Sequence, residues 1–120
     1  MGREIKFRGI KEHDNSFAYG NLLNEQTIGE VGNNLSHYTY STVKPETVGQ
    51  FTGLIDKNGK DIFEGDILDV VTEKSQYTLE VKFDNGSFVG EGLFFIYPLS
   101  KWFDSSDFES CEIYSNIHTL

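Results

Sequence analysis

The sequence predicts an all-β fold, a barrel or sandwich of many short strands. Three observations predict it. Tyr77, Leu79, Val81 and Phe83 alternate strictly with Thr78, Glu80 and Lys82, the signature of a half-buried strand. Turn signals recur at short intervals, among them Asn58-Gly59 and Asp84-Asn85-Gly86-Ser87. No segment holds a 3.6-residue apolar period over the length of a helix. A closed or layered sheet limits the exposed edges that so many strands would create.

The elements follow in order. Glu4 to Arg8 alternates polar and apolar residues, predicting a strand with Ile5 and Phe7 inward. Lys11 to Ser16 is a polar turn, and Phe17 to Leu23 is the returning strand. Asn24 to Asn34 reads as a loop around a weak strand near Ile28. Leu35 to Val43 is a strand with Tyr38, Tyr40 and Thr42 on one face, ended by Pro45. Lys44 to Val48 suits one helical turn, because proline is welcome at a first helical position.

Phe51 to Ile55 and Ile62-Phe63 are rich in β-branched and aromatic residues, as strands are. Asn58-Gly59 between them predicts a type I′ turn, which needs positive φ at both central positions. Lys57 and Lys60 keep that turn in water. Gly65 in Glu64-Gly65-Asp66 suits a tight bend. Ile67 to Val71 is short and apolar, which fits a strand buried on both faces. Phe88 to Ile96 returns from Tyr77–Phe83, with Gly90 and Gly92 marking a bulge or a close approach. Pro98 closes that strand. Lys101 to Glu109 forms a short helical turn or an ordered loop, and Cys111 to His118 is the last strand.

Composition narrows the function. The 120 residues carry a formal net charge of −9. Nucleic-acid phosphate repels such a chain, since its binding needs clustered Lys and Arg. The one dense basic patch, Arg3, Lys6, Arg8 and Lys11, reads as the wet face of the first strand. Cys111 is the single cysteine, so no intrachain disulfide forms, which fits a reducing cytosol. Met1 to Lys6 leads into no apolar segment, so no signal peptide is expected. The longest apolar run, Leu93 to Tyr97, is too short to span a bilayer, and no membrane is expected as a partner.

Asp56, Asn58 and Lys60 have a faint calcium-loop spacing. Lys60 stands where oxygen is required and Ile67 where the bidentate Glu belongs, so no metal is expected. Asp56, Asp61, Glu64 and Asp66 read instead as solvated turn caps. His13, His37 and His118 lack the spacing of a metal pair. Cys111 reads as a half-buried strand thiol rather than a nucleophile. No nucleophile elbow and no phosphate-cradling glycine loop occurs, so no catalytic residue and no cofactor is assigned.

Four blocks of the chain resemble the YopX family, small proteins encoded by bacteriophages and prophages. Met1 to Gly9 (MGREIKFRG) is similar to the family's opening, and Phe17 to Leu23 (FAYGNLL) to its second block. Thr42 to Leu68 resembles the core signature VxPETVGQxTGLxDKNGKxIxEGDI. Glu112 to Leu120 (EIYSNIHTL) resembles the closing block, with Tyr114-Ser115 in place of a Gly-containing step. The resemblance implies an N-terminal β unit over 1–47 and an SH3-like barrel over 48–120, with no established enzymatic activity. It also implies the cytoplasm of a bacterial host.

The expected function is therefore that of a non-enzymatic phage or prophage accessory protein. It would self-associate and act through protein–protein interaction, with itself or with a host or phage protein as partner. Trp102, Phe103 and Phe108 are the candidate contact surface, set among acids, where they either plug the barrel mouth or dock a partner. Tyr38 and Tyr40 are candidates for the same use. Asn58, Gly59, Gly65 and Asp66 are structural turn residues. Two alternatives differ in class. One is a nucleic-acid role, through the basic strand or through acidic mimicry of DNA. The other is binding of a nucleotide or another small molecule, which needs a concave pocket.

Overall fold

The computed structural model describes residues 5–31 and 38–118. Arg3 and His37 fall outside them. Among the described residues the regular structure is almost entirely antiparallel strand, as the sequence predicts. The chain forms two compact units, Met1–Gly53 and Leu54–Leu120. The boundary falls inside a strand, beyond the join at 47/48 read from the sequence.

The first unit contains β1 (Phe7–Ile10), β2 (Phe17–Asn24), β3 (Thr27–Val31), β4 (Tyr38–Thr42) and the first part of β5 (Gly49–Ile55). Their order across the sheet is β4-β3-β2-β1-β5. β1 and β2 pair from Phe7↔Gly20 to Ile10↔Phe17. Pro45–Thr47 is a single 3₁₀ turn with proline at its start. The Thr47 hydroxyl accepts the Ile10 N–H at 2.9 Å and donates to the Lys44 carbonyl at 2.7 Å. The core here is small: Ala18, Ile28 and Val43, with Phe7, Leu22 and Val48 packed against it.

The basic strand departs from expectation. Arg8 is buried, and its guanidinium lies 4.4 Å from the centre of the Phe17 ring. A guanidinium is planar and weakly hydrated, so an aromatic face can take the place of water. Lys6 likewise sets its ammonium 5.2 Å from the Phe51 ring. Ile5, expected inward, precedes β1 and is exposed.

β5 carries the chain into the second unit, and β6 (Asp61–Phe63) pairs with its end. There follow β7 (Asp66–Thr72), β8 (Gln76–Asp84), β9 (Ser87–Glu91), β10 (Ile96–Pro98), α1 (Leu99–Asp104) and β11 (Phe108–Asn116). The sheet order is β10-β9-β8-β7-β11, antiparallel throughout. Ile62, Leu68, Val70, Leu79, Val81, Leu99 and Cys111 form its core. β7 buries one face and not both. Asp66, Leu68, Val70 and Thr72 are buried, while Ile67, Asp69 and Val71 are half-exposed. Its two flanking strands, β8 and β11, supply hydrogen bonds and leave the second face open.

The two Asn-Gly steps fold differently. Asn85 and Gly86 both take positive φ, 49° and 84°, and close β8 onto β9 in the type I′ manner. At the other step only Gly59 does, at 79°. The Gly59 N–H donates to the Asp56 carbonyl and the Asp56 N–H to the Lys60 carbonyl. That is a three-residue loop, a type I turn followed by a left-handed glycine. The expected I′ turn at 58–59 is displaced because the Asp56 carboxylate captures the N–H groups of Asn58 and Lys60, each at 2.9 Å.

Gly90 marks a close approach, and the β8–β9 register runs past it without a bulge. A Cβ there would lie 2.9 Å from a Leu79 methyl. Leu79→Ala should lower stability to urea by about 2–5 kcal/mol through the cavity it leaves. Gly90→Ala alone should also destabilise, and should cost less in the Leu79→Ala background, where the methyl has gone. Equal costs in both backgrounds would show that the two positions do not share this space.

Candidate interaction surface

Pro98 ends β10 and starts α1, because its fixed φ suits a first helical turn and its missing N–H is not needed there. α1 places Trp102 and Phe103 over the core of the second unit, and Phe108 follows at the start of β11. The Trp102 ring centre lies 5.0 Å from Tyr77, 5.6 Å from Phe95 and 6.0 Å from Tyr97. Phe103 and Phe108 stack at 5.1 Å. All three predicted aromatics are half-buried against that core. Tyr40 belongs to the first unit and is 63% exposed. It borders a shallow, polar depression with Glu12, His13 and Asp14. The backbone of Tyr38 belongs to β4, and its side chain lies outside the described residues.

Sequence reasoning missed the most exposed apolar residues among those described in the second unit. Leu93 and Phe94 are 86% and 90% exposed. They occupy the two central positions of a tight turn in which the Gly92 N–H donates to the Phe95 carbonyl at 2.9 Å. Such positions favour Gly, Asn, Asp or Pro, and a Leu-Phe pair there gains nothing locally. The expected single strand Phe88 to Ile96 is instead two, β9 and β10, separated by this turn, which lifts the apolar run Leu93–Tyr97 out of the sheet at its start. An open cleft of about 340 Å³ lies over Tyr77, Tyr97 and Trp102, walled also by Thr72, Lys101, Ser105 and Asp107.

Two of the four acids read as solvated turn caps are buried instead, while Asp61 and Glu64 stay partly exposed. Asp56 and Asp66 are 5% and 1% exposed. Asp66 accepts the Phe63 N–H at 2.8 Å across the bend made by Gly65, whose φ is 96°. Asp56 accepts the N–H groups of Asn58 and Lys60 on one oxygen and that of Ile113 on the other, at 3.0 Å. Burial pushes its carboxyl up. The three N–H donors and the nearby Lys60 charge outweigh that, and the group titrates below the usual carboxylate range.

Cys111 is fully buried rather than half-buried, 2% exposed. Burial, with the charges of Asp56, Asp69 and Asp66, pushes its thiol up to about 12. A thiol so held carries almost no thiolate near neutrality and is a poor nucleophile. His13 is exposed in its turn, and His118 packs beside Gly65. Among the described residues no group of three or more His, Cys, Asp and Glu could hold a metal ion. No described helix is long and apolar enough to cross a membrane.

These features define a small two-unit β protein whose conspicuous chemistry is apolar and aromatic and lies at its surface. The chain belongs to the YopX family: the family described as YopX protein matches residues 6–118. Its fold is also similar to the crystal structure of protein EF1440 from Enterococcus faecalis. The TM-score is 0.59 at 21% identity, covering 98% of this chain and 95% of the other. No curated protein matches the chain.

Asp56→Asn should cost about 1–3 kcal/mol at neutral pH, since one of the buried N–H donors then faces an amide NH₂. The depressed carboxyl stabilises the fold above its ordinary value of 3.8 and ceases to as pH falls through its lower folded value. The difference in urea midpoint between parent and variant should therefore shrink as pH falls below the ordinary value of 3.8. A gap that stays constant down to pH 2 would mean the carboxylate charge is not what matters. Cys111 should resist aromatic disulfide reagents at pH 8 in the native protein and react at once in denaturant. Fast reaction in the native state would contradict its burial.

Proposed function

We propose that this protein is a non-enzymatic accessory protein of a bacteriophage or prophage, acting through protein–protein contact and through association with itself. The observation that supports this is the pair Leu93 and Phe94, held in water at the tip of a turn. Exposing two large apolar side chains side by side opposes solubility unless something covers them. The burial of Cys111 and the structural use of Asp56 and Asp66 take these buried groups of the second unit away from chemistry. The proposed setting is the bacterial cytoplasm.

A nucleic-acid role through Arg3, Lys6, Arg8 and Lys11 has less behind it. Arg8 is committed to Phe17 and Lys6 to Phe51, which leaves less charge for phosphate.

Light scattering on the purified protein should give a mass above that of one chain, rising with concentration. A single-chain mass at every concentration would remove self-association from the proposal. Retention on immobilised DNA that falls steeply with salt would favour the nucleic-acid role instead.

A further inference from the structure

The second unit carries two Asn-Gly steps, and they are held very differently. At Asn58-Gly59 the Asn58 N–H donates to the Asp56 carboxylate at 2.9 Å and the Gly59 N–H to the Asp56 carbonyl at 3.0 Å. The Asn58 side-chain amide donates to Glu112 at 3.2 Å, and Glu112 is in turn paired with Lys57 at 3.4 Å. Asn85-Gly86 is exposed at the tip of the β8–β9 hairpin. Among the described residues neither the Asn85 side chain nor the Gly86 N–H makes a hydrogen bond.

An Asn-Gly step can react with itself. The glycine nitrogen gives up its proton and bonds to the asparagine Cγ. The bond from Cγ to the side-chain nitrogen breaks, and that nitrogen leaves as ammonia, taking up a proton. Water then opens the cyclic imide at either carbonyl, leaving aspartate or its iso-linked isomer. No oxidant or reductant takes part. Glycine favours the attack because it has no side chain to shield its nitrogen. The backbone must turn to bring that nitrogen to Cγ, so any bond that must open first slows the reaction.

We propose that Asn85 is a site of spontaneous deamidation in the folded protein, and that Asn58 is protected from it. At Asn58 the attacking nitrogen, the leaving amide and the backbone of the loop are each held by a hydrogen bond. At Asn85 only the hairpin turn resists. Space does not separate the two steps, since a Cβ on Gly59 or on Gly86 would meet nothing within 4 Å. The modification adds a carboxylate beside Asp84 to a chain already at −9. Its iso-linked product also lengthens the backbone between Asp84 and Ser87 by an atom. The mirror-image turn does not admit that atom, so the pairing of Asp84 with Ser87 opens. The edge-on contact of Phe83 and Phe88, 5.1 Å between ring centres, then loosens as well.

The test is peptide mapping by mass spectrometry of the native protein, held at neutral pH over a time series. Asn85 should deamidate roughly tenfold or more faster than Asn58, the ratio that a few retained hydrogen bonds produce. In guanidinium chloride, where both steps are free, the two rates should converge. Glu112→Ala releases the Asn58 side chain and Asp56→Ala releases its backbone. Each should speed reaction at Asn58 several-fold and leave Asn85 unchanged. Circular dichroism verifies the fold, and if Asp56→Ala does not fold, Glu112→Ala gives the answer alone. Equal native rates, or Asn58 ahead, would overturn the proposal. A ratio that persists in guanidinium chloride would trace the difference to neighbouring residues rather than to the fold, and would reject it too. Reaction at Asn58 that stays unmoved in every folded variant would equally reject the protective role of these bonds.

Discussion

One carboxylate organises the second unit. Asp56 gathers three backbone N–H groups, two from its own loop and one from Ile113, 57 residues further along the chain. The Lys57 N–H adds a bond to the Cys111 carbonyl. The loop after β5 is thereby fastened to β11, the strand that pairs with β7. Asp66 performs the shorter version, clasping Phe63 across Gly65. A buried carboxylate survives only when its lone pairs are occupied, and the backbone occupies them here. Core residues such as Leu68, Val70 and Cys111 fill the space these clasps define.

The same clasp explains why one dipeptide folds in two ways. At Asp84-Asn85-Gly86-Ser87 the strands on either side set the geometry, and the mirror-image turn suits their twist. At 56–60 a carboxylate two residues ahead of the asparagine holds Asn58 out of positive φ and leaves only Gly59 there. Local propensity allowed both outcomes. The choice depended on a side chain whose other oxygen was engaged by a distant strand.

That pattern separates what the sequence made legible from what it did not. The alternation of Tyr77–Phe83 located β8 because its period needs no partner to be seen, and Pro45 marked a helical start and Pro98 a strand end for the same reason. Even there, Phe83 at the strand's end is exposed where Leu79 and Val81 are buried, because alternation says nothing of how far the core extends. Arg8 was misjudged because its cover is Phe17, a residue of the next strand. Asp56 was judged a solvated cap because the third donor, Ile113, is remote. Of the surface, Trp102, Phe103 and Phe108 were visible as aromatics among acids. Leu93 and Phe94 were not, because an apolar run carries no mark of whether a turn will present it to solvent.

The outer strands of the five-stranded sheet bear on how copies of this protein can accumulate. β10 is three residues long and ends in Pro98, which has no N–H to offer an incoming strand. β11 is longer, but its register shifts twice, and the 56–60 loop already holds backbone groups of Cys111 and Ile113. Neither border is a smooth template for adding another chain's backbone. Growth by strand-upon-strand stacking onto this five-stranded sheet is disfavoured at both sides.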